Sequence, residues 1–128
     1  MTGSNPTIFT YTRAQAIADG VLVDVSKLAR EAGFRCPVAV TAGVWAECVR
    51  LPEGVTGQDE TGRLWDVLQM LRFDIGMNPG ARTERVDFAV HVRNDNREGD
   101  PPLVQLYALC GPGDDAEPVI TVMLPTED

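Results

Sequence analysis

Thr83-Glu84-Arg85-Val86-Asp87-Phe88-Ala89-Val90-His91-Val92-Arg93 decides how the fold is read, because its apolar residues recur at every second position. Val86, Phe88, Val90 and Val92 fall on one face of an extended chain, with Asp87, Ala89, His91 and Arg93 on the other. That alternation predicts a strand with one covered face. Two further apolar runs follow at residues 103–110 and 119–124, divided by turn-rich connections at 94–102 and 111–118. Connections this short favour antiparallel neighbours, so the C-terminal part predicts a three-stranded meander. Its second face, bearing His91, Arg93, Gln105 and Tyr107, is left for water or a partner.

Upstream, the period is helical. Leu64, Trp65, Leu68, Leu71 and Ile75 recur with a 3.6-residue spacing, which predicts a helix ending near Gly76 or before Pro79. Thr12 followed by Gln15 is a capping-box signature for a helix over 13–19, and Gly20 can end it with a positive φ. Ser26 offers a cap for a helix ending at Gly33, with Leu28, Ala29 and Ala32 on one side. Thr41 can cap a third helix through about Val49 that buries Val44, Trp45 and Cys48. Cys36 precedes Pro37 and is pushed out of the α region, so 34–40 is extended. The predicted class is α+β: N-terminal helices packed on a C-terminal three-stranded antiparallel sheet, with room for an added short strand from 21–25 or 36–40. The expected organisation is a flexible polar tail at 1–8, a single domain at 9–125 and an acidic tail at 126–128.

The charge is lopsided. The chain has a formal net charge of −8, with 11 acidic and 10 basic residues up to position 94 but 8 acidic residues against Arg97 alone beyond it. A chain this acidic argues against direct nucleic-acid binding, which needs clustered positive side chains to release counterions. It favours a basic protein surface as partner. The interaction candidates are therefore Asp114, Asp115 and Glu117 in one connection and Asp95, Glu98 and Asp100 in the other. Antiparallel pairing would place these connections at opposite ends of the meander. The first residues lack a signal peptide's charge and apolar core, and no apolar run approaches the roughly 20 residues that span a bilayer. Three cysteines at 36, 48 and 110 fit reduced thiols, and the expected location is cytoplasmic.

Catalytic signals are weak. One histidine and three scattered cysteines give no metal-ligand spacing, so no metal and no cofactor are expected. Asp24 interrupts the apolar run 21–25, but with Ser26 it reads first as a partner for backbone donors at a helix start. His91 and Cys110 lie on strands predicted to be neighbours and are the remaining candidates for a nucleophile-and-base site. Gly111-Pro112-Gly113 lacks phosphate-loop form, having lost a donor at the proline. Trp45 and Trp65 read as helix core.

The segment Tyr11-Thr12-Arg13-Ala14-Gln15-Ala16-Ile17-Ala18-Asp19-Gly20-Val21-Leu22-Val23-Asp24-Val25 resembles the opening of a family of small uncharacterised bacterial proteins. The likeness continues through Gly62-Arg63-Leu64-Trp65-Asp66-Val67-Leu68 and Cys110-Gly111-Pro112-Gly113-Asp114-Asp115. That family is a domain of unknown function often carried on plasmids, integrative elements and phages, and it supplies no functional residues to transfer. The resemblance implies a mobile-element accessory protein, and with the acidic surface it points to a non-enzymatic interaction module, an anti-defence factor among the options. The alternatives are a small enzyme or ligand-binding domain with a helix–sheet pocket, using Asp24, His91 or Cys110, and a homo-oligomeric structural protein.

Overall fold

The computed structural model describes residues 11–77 and 84–127. The expected polar tail at 1–8 and Asp128 lie outside the described residues. Among the described residues, five strands form one mixed sheet in the order β1-β2-β5-β4-β3: β1 is Leu22–Asp24, β2 Val38–Thr41, β3 Arg85–His91, β4 Leu103–Pro112 and β5 Pro118–Met123. The helices are α1 (Arg13–Ala18), α2 (Ser26–Glu31), α3 (Ala42–Val44), continued by a π-helical turn at Trp45–Val49, and α4 (Glu60–Met77).

This corrects the expected architecture. β3, β4 and β5 pair antiparallel in sequence, but both short N-terminal runs also join the sheet and the helices are interspersed among the strands. β2 pairs parallel with β5, Val38 opposite Ile120 and Val40 opposite Val122, and β1 pairs antiparallel with β2 at the far edge. The cause lies in burial. All four residues of β2 are buried, as a strand between two neighbours requires, and no local pattern reveals a parallel partner some eighty positions away.

One face of the sheet carries the core. Val38, Val40, Leu106, Ala108, Phe88 and Val122 pack there against Ala29, Val44, Cys48, Val67, Leu68 and Leu71 of the helices. Thr41 caps α3 through the Val44 amide at 3.1 Å, as its position suggests. The helix then widens, the Arg50 amide reaching back to the Trp45 carbonyl. Trp45 and Trp65 are half-buried at the margin of the core. α2 starts differently from expectation. Ser26 is its first helical residue, and its hydroxyl accepts from the Val38 amide at 3.0 Å instead of capping. Gly33 has φ +102, and a Cβ there would strike the Arg72 guanidinium, which donates to the Ala32 carbonyl at 2.5 Å.

Among the described residues, the second face is covered only in part. α1 lies near β1 and β5, its capping box complete: the Gln15 amide donates to Thr12 Oγ1 and the Thr12 amide to Gln15 Oε1. Arg13 donates to Thr121 Oγ1 at 2.7 Å and to the Ile120 carbonyl at 2.8 Å. Tyr107 sits on this face but is buried, because its hydroxyl donates to the Glu127 carbonyl and the Arg85 guanidinium lies 3.9 Å over its ring. Glu127 is held in turn, its carboxylate accepting from Thr41 Oγ1 at 2.7 Å and the Leu124 amide at 2.8 Å. No helix among the described residues is long and apolar enough to cross a membrane.

Candidate interaction surface

The two acidic connections have different fates. The β4–β5 turn closes through bonds from the Gly113 amide to the Glu117 carbonyl and from the Ala116 amide to the Gly113 carbonyl. Ala116 takes φ +64 to make it, a left-handed conformation unusual for a residue with a Cβ. Asp114 turns back onto α1, where Oδ1 accepts from the Arg13 amide at 2.8 Å and Oδ2 from the Ala14 amide at 3.0 Å. A carboxylate thus satisfies two orphan donors in the first turn of a helix a hundred residues earlier. Glu117 accepts from the Asp115 amide at 3.0 Å. Burial lowers the Arg13 pKa, and the nearby carboxylates of Asp24, Asp114 and Glu117 oppose that shift. Of the three sequence candidates in this turn, two are bound into the fold. Asp115 is left exposed at its tip.

The β3–β4 connection is assembled differently. Arg93 donates to the Arg97 and Gly99 carbonyls and folds the loop on itself. Asp95 accepts from the Arg97 amide at 3.0 Å and stands 3.9 and 3.8 Å from the Arg93 and Arg97 guanidinium groups. The loop then docks on the π-helical turn and on the segment that leads from it to α4. Asn94 donates to the Glu47 carbonyl, Asn96 donates to the Gly54 carbonyl and accepts from the Thr56 amide, and Gln58 donates to the Arg93 carbonyl.

Arg63 fastens this junction. It is 5% exposed, and it donates to the Val49 carbonyl at 3.1 Å, Gln58 Oε1 at 3.1 Å, the Arg93 carbonyl at 2.6 Å and Asn94 Oδ1 at 2.5 Å. Burial lowers its pKa, and neutral oxygens accept these bonds.

The docking draws two stretches of chain into one acidic pole. Glu98 and Asp100 from the loop are exposed, as are Glu47, Glu53, Asp59, Glu60 and Asp66 from the segment beneath it. Arg63 and Arg93 are turned onto backbone carbonyls, which leaves Arg50 and Arg97, both exposed, against these seven carboxylates. An open cleft of about 540 Å³ lies here, lined by Gln58, Asp59, Arg63, Trp65 and Asp66. β4 has ten residues, so the pole and the β4–β5 turn are about 30 Å apart, beyond the Debye length at physiological salt. They act as separate patches.

The catalytic candidates are not brought together. Asp24 is on β1 and His91 on β3, the two opposite edges of the sheet, about 19 Å apart at the usual strand spacing. Asp24 Oδ1 accepts from the Ser26 amide at 3.1 Å and its hydroxyl at 2.6 Å, and His91 Nδ1 lies 2.9 Å from the Pro101 carbonyl. Cys110 packs against the core on the other face, and burial raises its pKa and that of Cys36. Cys48 is pushed up to about 11, chiefly by burial. Among the described residues no group of His, Cys, Asp or Glu is arranged to hold a metal ion. The helix–sheet space between α4 and β3 amounts to about 20 Å³.

Sequence reading missed Arg63, the two asparagines and the acids of the 47–66 segment. Asp59 left one trace: it stands three residues before Gly62, whose amide it caps at 2.6 Å. The model of a family of unknown function, DUF6573, matches residues 2–128. No curated protein and no solved structure matches the chain.

Proposed function

The chain belongs to that family of unknown function, and from its own residues we propose that it is a non-enzymatic protein-interaction module whose acidic pole engages a basic protein surface. The observation that carries this reading is the docking of the β3–β4 connection onto the segment before α4. It gathers exposed carboxylates from two distant stretches while turning Arg63 and Arg93 inward onto backbone carbonyls. An exposed field of one sign speeds encounter with an opposite surface and selects against acidic partners. The resemblance to proteins of plasmids, integrative elements and phages adds a context, in which the partner is a cytoplasmic host defence protein and the pole occupies its nucleic-acid-binding surface.

Affinity capture from the host with low- and high-salt washes tests the proposal. A partner retained at low salt, released at high salt and lost when Glu98, Asp100, Asp59 and Glu60 are changed to their amides is the expected result. Retention of the same partner by the neutralised variant would remove the electrostatic mechanism.

A further inference from the structure

β3 is the terminal strand of the sheet among the described residues. It pairs with β4 over seven consecutive positions, from Arg85 with Leu109 to His91 with Leu103, without a bulge or a proline to spoil its outer edge. The flanking bonds fix which way its backbone points. The Cys110 amide donates to the Glu84 carbonyl at 2.8 Å, and the Val92 amide to the Pro102 carbonyl at 2.9 Å. The even-numbered residues therefore face β4. Antiparallel ladders alternate, so Asp87, Ala89 and His91 direct their N–H and C=O groups outward.

A helix flank stands over this edge. Asp66 of α4 borders the same narrow space as Val90, His91 and Val92, which places its side of the helix above β3. Met70 and Phe73 follow Asp66 on that stripe at i+4 and i+7, and they are 40% and 61% exposed. Among the described residues, an open strand edge thus runs beneath exposed apolar side chains that its own sheet does not use.

We infer that this edge and stripe form a twofold interface for a second copy of the chain, the two β3 strands pairing antiparallel into one continuous sheet. A twofold axis sets each patch against itself, and this patch is complementary to itself in three ways. Each copy supplies the outward backbone groups, and each supplies Met70 and Phe73 to cover the other. Arg85 and Asp87 lie two positions apart on one face, in contact at 3.1 Å, and an antiparallel register can set each opposite the other's counterpart across the axis. The same geometry sends the two acidic poles to opposite ends of the dimer, which limits repulsion between copies of net charge −8. This inference does not rest on the proposed partner.

Light scattering coupled to size exclusion, on the full chain from micromolar to submillimolar concentration, tests it. The expected wild-type result is a concentration-dependent rise from 13.9 kDa to twice that mass. Asp87→Pro removes an outward N–H that the register pairing Arg85 with Asp87 of the second copy uses, leaves the β4 ladder intact, and should be monomeric throughout. Phe73→Glu should also be monomeric, and it reads the same interface if the proline variant does not fold. Val21→Lys, at an exposed position beside the opposite edge, should still dimerise. A wild-type monomer at every concentration, a dimer that survives both β3-side variants, or a dimer lost in Val21→Lys would each overturn the assignment. The first of these would leave the edge to a foreign strand.

Discussion

Replacing Asp114 by alanine separates a structural carboxylate from a recognition carboxylate. Asp114 accepts from the Arg13 and Ala14 amides at 2.8 and 3.0 Å, and α1 is only six residues long, so these two donors are a large part of what seats it. Charge-assisted bonds to helix N-terminal amides stabilise by about 1–2 kcal/mol when partly solvated, and both are lost together. The Thr12 capping box remains, so α1 is loosened rather than abolished. With a urea m-value of about 1.5 kcal/mol/M, a loss of about 1.5 kcal/mol moves the unfolding midpoint down by about 1 M. Asp115→Ala, one position along and exposed, should stay within about 0.5 kcal/mol of wild type. Asp114→Asn keeps one acceptor oxygen and should fall between them. Equal midpoints for Asp114→Ala and Asp115→Ala would show that Asp114 does not hold α1 in place, because the two variants differ chiefly in these bonds.

Three further outcomes follow from named groups. Arg63→Met strips donors from the Val49 and Arg93 carbonyls and from the Gln58 and Asn94 side chains, and should cost about 3–5 kcal/mol, read as a fall in melting temperature of about 10 °C or more. Ala116→Gly relieves the φ of +64 and should stabilise by about 0.5–1 kcal/mol, seen as a higher urea midpoint. The Cys48 thiol, raised to about 11 from an ordinary 9.0, holds its proton longer in the folded state. Its contribution to stability is complete below pH 9 and lost as pH rises through about 11, a decline of about 2–3 kcal/mol. Urea midpoints compared between pH 8.5 and pH 11 should fall further in wild type than in Cys48→Ala, and equal falls would contradict the assignment.

What could be read in the sequence was whatever is written locally. The alternation at 86–92 found β3 and the face it buries, and the 3.6-residue spacing found α4, although Ile75 on the expected apolar stripe remains 37% exposed near the helix end. Thr12 and Thr41 cap as their positions suggest, and Gly20 takes φ +79 after α1. The parallel β2–β5 pair was not legible, since four buried residues do not say which distant strand they meet. The same limit hid the surface. Asp114 reads as a loop acid because its helix lies a hundred residues away, and Arg63 reads as a polar helix residue beside Leu64 until Arg93 and Asn94 fold onto it. The two acidic connections do lie at opposite ends of the meander, as antiparallel pairing required, but only one of them keeps its carboxylates largely free.

The salt dependence of partner affinity, measured for two charge-neutralised variants, decides whether the acidic pole is the recognition surface. One carries Glu98→Gln, Asp100→Asn, Asp59→Asn and Glu60→Gln at the pole, and the other carries Asp115→Asn and Glu117→Gln at the β4–β5 turn. The turn variant should bind like wild type, with the same loss of affinity as salt rises, while the pole variant should bind weakly and with little salt dependence. Wild-type affinity and salt dependence in the pole variant, or loss of binding in the turn variant alone, would contradict that role for the pole.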